Sequence, residues 1–138
     1  MKVDPDVEAA VLATIKASWD AYRRRAVDEV LSYYTSDADL VAVGTGGEER
    51  FVGPDSLKAG LVHDFSQGHD ADLTIAWASV SGTGNVAWVA ADCIAEVTAG
   101  IRKVTVPCRL TAVLEQKGGK WLIMQTHFSL PTGGQAAA

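Results

Sequence analysis

Gly119-Lys120-Trp121-Leu122-Ile123-Met124-Gln125-Thr126-His127-Phe128-Ser129-Leu130-Pro131 reads as one long β-strand that follows a glycine turn. Side chains alternate along a strand, so an unbroken phase puts Trp121, Ile123, Gln125, His127 and Ser129 on one face. Leu122, Met124, Thr126, Phe128 and Leu130 then take the other face. Neither face is solvent-like, which predicts a central strand covered on both sides. Gln125, His127 and Ser129 beside Trp121 and Ile123 form either a satisfied core network or the floor of a pocket.

Working back from this strand, three more precede it. Asp72 to Ser81, Val86 to Val97 and Ile101 to Glu115 are rich in β-branched and aromatic residues. Gly82-Thr83-Gly84-Asn85, Thr98-Ala99-Gly100 and Gln116-Lys117-Gly118-Gly119 separate them as tight turns. Short links between successive strands predict an antiparallel meander. Pro107 has no N–H to give to a ladder, so a bend or bulge is expected there.

The first half of the chain is helical in pattern. Asp4-Pro5 starts a helix, and Val7, Val11, Ile15, Trp19 and Tyr22 recur at helical spacing to about residue 24. Val27, Val30, Leu31 and Tyr34 make the stripe of a short second helix, from about Ala26 to Tyr34. Two short strands, Asp39 to Val43 and Glu48 to Val52, flank the turn Gly44-Thr45-Gly46-Gly47. That glycine cluster has neither a phosphate-loop nor a dinucleotide fingerprint. Gly53-Pro54-Asp55 opens a third helix whose Leu57, Leu61 and Phe65 face inward. His63 and Asp64 are helix neighbours pointing about 100° apart, and solvent exposure is the stronger reading for both.

A length of 138 residues fits one domain, expected over residues 1–131 with a fraying tail at 132–138. Such a chain buries roughly 68% of its unfolded surface without staples. A net charge of -5 argues against nucleic acid and anionic membrane as partners. No apolar leader or bilayer-length stretch is present, so the expected location is cytoplasmic. Cys93 and Cys108 are read as reduced, buried thiols, and no metal or cofactor is expected.

Helices followed by a long curved antiparallel sheet make an α+β plan. Three N-terminal helices packed on that sheet would form a cone with an internal pocket. Trp19-Asp20-Ala21-Tyr22, Val86-Ala87-Trp88-Val89, Arg109-Leu110-Thr111-Ala112-Val113-Leu114 and Gly119-Lys120-Trp121 leading to His127-Phe128-Ser129-Leu130-Pro131 occur in the order seen in one family. In these residues the chain resembles SnoaL-like proteins of the nuclear-transport-factor-two-like superfamily, with its ketosteroid-isomerase-like α+β barrel. The resemblance covers nearly the whole chain. It implies fold more than activity, because the superfamily holds isomerases, cyclases, dehydratases and non-catalytic association domains.

The relatives' catalytic patterns do not transfer intact. Ala42 stands where a ketosteroid-isomerase-like base would be, and the oxyanion positions fall near Ser18 or Trp19 and near Thr111. Tyr22 fits the tyrosine of a scytalone-dehydratase-like site, but Arg23 stands in place of its aspartate. What remains is a candidate catalytic pair, Asp92 and His127. The candidate pocket set is Trp19, Tyr22, Tyr34, Trp88, Arg109, Gln125 and Ser129. For Arg109 and His127 a structural hydrogen-bond network is the competing explanation.

Two function classes follow. One is a protein with a largely apolar pocket for a small apolar or aromatic ligand. If catalytic, it would be of isomerase, cyclase or lyase type, working by acid–base chemistry without a metal. The other is a dimerisation or association module, its cone filled by Trp19, Trp77, Trp88 and Phe65. In either case the helix-free sheet face is expected to be apolar and to form a homodimer.

Overall fold

The computed structural model describes residues 1–132. The tail expected to fray beyond Thr132 lies outside the described residues. The elements run α1 (Pro5–Arg23), α2 (Val27–Ser32), β1 (Val41–Val43), β2 (Arg50–Val52), α3 (Pro54–Phe65), β3 (Asp70–Thr83), β4 (Val86–Ala99), β5 (Arg102–Lys117) and β6 (Lys120–Ser129). The third helix therefore follows the first hairpin. The fold is α+β, with helices on one face of a curved sheet.

The strand order is β2-β1-β6-β5-β4-β3. β3 to β6 form the expected antiparallel meander, but β1 pairs parallel with β6, so the sheet is mixed. β2 and β3 are its edges, and it remains an open cone rather than a closed barrel.

Two irregularities bend the sheet. In β3, Ile75 pairs with Cys93 and Trp77 with Asp92, leaving Ala76 as an extra residue. In β6, Gln125 pairs with Val113 and Ile123 with Leu114, leaving Met124 extra. A bulge of this kind raises local twist and bends its strand. Of the bend or bulge expected at Pro107, no bulge is present. Pro107 pairs in register with Ile94, and β6 pairing stops at Arg109 opposite Ser129. The proline thus sits where β5 has an open edge, and its missing donor breaks no ladder.

The bulge at Met124 coincides with a change of partner. Before it, the outer edge of β6 is held by the segment after α2, through Thr35 N–H to Ile123 O and Ile123 N–H to Tyr33 O, each 2.9 Å. After it, that edge is held by β1, with Ala42 opposite Thr126. The extra residue falls where β6 changes neighbour.

The main core lies between α1 and the concave sheet face. Val11 and Ile15 pack on Val80, Val89, Cys93, Leu110, Leu114, Trp121 and Ile123. A second cluster, Ala21, Val30, Leu40, Ala42, Leu57 and Leu61, joins the three helices to β1. Gly60 lets α3 approach β2 closely, because a Cβ there would lie 2.5 Å from the Phe51 ring. No helix is long and apolar enough to cross a membrane, among the described residues.

Candidate functional site

Between the second cluster and the open end of the cone lies a cavity of about 320 Å3. Its floor is the concave sheet face, with Leu73 from β3, Ala95 and Val97 from β4, Val106 and Cys108 from β5, and Thr126 and Phe128 from β6. Trp19 and Tyr22 from α1, Tyr34 after α2, and Leu57, Leu61 and Asp64 from α3 form the walls. Thr45 and Glu49 enter from the β1–β2 turn.

Aromatic contacts fix the walls. Trp19 packs on Phe128 with ring centroids 6.0 Å apart, and Tyr22 meets Phe65 edge-on at 5.0 Å. The Tyr22 hydroxyl donates to Asp64 Oδ2 at 3.1 Å. Burial first, then the negative charges of Asp64 and Glu49, raises the Tyr22 hydroxyl well above the usual tyrosine range. The phenol therefore stays protonated at neutral pH. Tyr34 is pushed up to about 12 by burial, with a hydrogen bond to Thr126 acting in the opposite direction. If the one phenol proton is turned from Asp64 to a bound molecule, Tyr22 becomes the donor and the freed Asp64 oxygen an acceptor.

The nine residues expected at the site divide cleanly. Trp19, Tyr22 and Tyr34 line the cavity. Asp92, His127, Trp88, Arg109, Gln125 and Ser129 do not; they lie on the opposite, convex sheet face. The expectation that His127 and Asp92 converge inside the cone is corrected on two strands: the bulge at Met124 turns His127 outward, and the plain alternation of β4 turns Asp92 outward between buried Ala91 and Cys93. Trp121 and Ile123 point into the core at 8% and 1% exposure. The extra residue then reverses the alternation, so Thr126 and Phe128 turn inward while Gln125 and His127 are exposed. Asp92 and Arg109 sit opposite one another on that convex face, and neither makes a hydrogen bond to His127 among the described residues.

Trp77 and Trp88 are also outward, at 56% and 43% exposure, so they do not fill the cone. The convex face is mixed rather than apolar. Trp88, Val113 and Gln125 form one row across it, and Ala90, Thr111 and His127 the next.

The residues missed in the sequence are Asp64, Glu49 and Thr126. Asp64 follows Leu57 and Leu61 by seven and three positions, which places it on the inward stripe of α3. A carboxylate on an apolar stripe was the available signal. Glu49 is held by its turn, where Gly46 N–H donates to its Oε1 at 2.6 Å. Cys93 and Cys108 are cross-strand partners and both are free and buried. Cys93 is pushed up to about 12, chiefly by burial, so neither reads as a reactive thiolate. Among the described residues, no three His, Cys, Asp or Glu side chains form a group that could hold a metal ion.

The SnoaL-like domain family matches residues 11–133. The chain belongs to the SnoaL-like family. Solved structures with the same architecture include a candidate dehydratase of the NTF2-like family from Streptomyces avermitilis. It is 16% identical, with a TM-score of 0.84 over 94% of this chain and 100% of that one. Aln2 from a Streptomyces species is 12% identical, with a TM-score of 0.85 over the whole of both chains. A candidate calcium/calmodulin-dependent protein kinase II association domain from Xanthomonas campestris is 21% identical, with a TM-score of 0.79 over 96% of this chain and 91% of that one. At these identities the likeness establishes the SnoaL-like fold alone. No curated protein matches the sequence.

Proposed function

We propose that this SnoaL-like domain binds a small, largely apolar or aromatic molecule in its cone. The reading is carried by the 320 Å3 cavity, whose wall is mostly aliphatic and aromatic with one polar pole at Tyr22 and Asp64. That volume is at the lower end of the range for small-molecule sites and suits a compact ring system. The test is a thermal-shift screen with fused-ring compounds such as naphthol, run on the wild type and on Ala95→Phe, which narrows the cavity floor. Ligand should raise the wild-type melting temperature and leave the variant unmoved. No shift with any compound, or equal shifts in both proteins, rejects the reading.

The 3.1 Å contact between Tyr22 and Asp64 supports a catalytic version as well. Tyr22 would serve as general acid and Asp64 as base, in an isomerase, cyclase or dehydratase acting on a polyketide-like or steroid-like substrate without a metal. Tyr22→Phe separates the two versions. It should abolish turnover and retain binding if the chemistry is real, and change binding only modestly if the pocket merely holds its ligand.

Exposed Trp77 and Trp88 on the convex face support self-association there, giving a homodimer in which each cone stays open. Light scattering at micromolar concentration should report twice the chain mass. A monomer mass would reject the dimer and leave the cavity reading untouched.

A further inference from the structure

We infer that the cavity discriminates by charge, taking neutral or amine-bearing ring compounds and rejecting carboxylates. This rests on the ligand-binding reading and specifies the ligand's chemistry. The polar pole is supplied by Asp64 on α3 and Glu49 on the β1–β2 turn, and no Lys, Arg or His lines the cavity among the described residues. The guanidinium of Arg25, whose charge reaches Tyr22, is turned to Asp70 Oδ1 at 2.7 Å and His69 O at 2.8 Å. Asp70 and His69 are not part of the cavity lining.

The two carboxylates are placed by structure that does not depend on a ligand. Asp64 Oδ2 accepts from Tyr22 and Glu49 Oε1 accepts from Gly46 N–H. Each keeps a second oxygen that accepts no hydrogen bond from the described residues. These oxygens ask for donors, which an ammonium or a hydroxyl supplies and a carboxylate does not. An anion entering here would also face two like charges beside a mostly apolar wall, where repulsion is screened less than in water.

Three probes on one naphthalene skeleton test this: naphthylmethylamine, naphthylmethanol and naphthoic acid, titrated by calorimetry at neutral pH. The amine and the alcohol should bind at least tenfold more tightly than the acid. Asp64→Asn and Glu49→Gln, made separately and checked for unchanged circular dichroism, should each narrow the amine-to-acid ratio several-fold. They should leave the alcohol within about threefold. Equal binding of amine and acid, or an unchanged ratio in both variants, overturns the charge selection while the cavity reading stands. Binding of none of the three overturns both.

Discussion

β6 behaves as two different strands on either side of Met124. In the first part, Trp121 and Ile123 are buried under α1, and Thr14 Oγ1 on α1 donates to Trp121 O at 3.3 Å. In the second part the same odd-numbered positions, Gln125 and His127, face outward, and Thr126 and Phe128 take over the inner face. One extra residue reassigns every side chain after it. A strand's chemistry therefore cannot be read from its alternation until its bulges are known.

The largest expected effect tests the first part. Trp121→Ala should cost about 3–5 kcal/mol, since the ring is buried in the main core and leaves a cavity behind. Chemical denaturation checks this, and an unchanged midpoint would show that the first part is not the buried one.

Next comes Tyr34, which touches both parts of β6. Its backbone pairs with Ile123, and its ring lines the cavity with Thr126 and Phe128 of the second part. Burial favours the protonated phenol, moving it from 10.0 to about 12 in the folded state. A raised value gives stability that is complete below the unfolded value and lost as pH climbs through the folded one. Stability should therefore fall between pH 10 and about 12, by about 3 kcal/mol from this group at 1.36 kcal/mol per pH unit. Cys93 contributes in the same direction from a lower starting pH. In Tyr34→Phe the alkaline fall should be shallower than in the wild type. Identical alkaline profiles for the two proteins would mean that the phenol is not shielded.

The smallest effect belongs to the second part. His127→Ala should change stability by no more than about 0.5 kcal/mol, as for an exposed residue outside any network. A loss above about 1 kcal/mol would mean that His127 points inward and that the bulge does not reverse the strand.

Much of the fold was legible in the chain. The stripe of Val7, Val11, Ile15, Trp19 and Tyr22 marks α1, and the glycine turns mark the meander, because both signals are local. Trp19, Tyr22 and Tyr34 line the cavity for the same reason: helical spacing carries them to the sheet side. Asp64 was equally legible by its spacing from Leu57 and Leu61, but its polarity suggested solvent. The other six residues of the candidate site lie on the convex face. Trp88 and Asp92 on β4 and Arg109 on β5 follow from which face of their strands the helices cover, and Gln125, His127 and Ser129 on β6 follow from the bulge at Met124.

The sequence by itself determined the element order, the main helix stripes and the membership in an α+β family, because periodicity and turn chemistry act over a few residues. Tertiary structure alone decided three things: that β1 lies parallel to β6, that Met124 is extra, and that Glu49 and Asp64 share a cavity with Tyr22. Each arises from contacts between segments far apart in the chain. A bulge is favoured where one strand must change neighbours, from the Tyr33–Thr35 segment to β1, and no local propensity encodes that exchange.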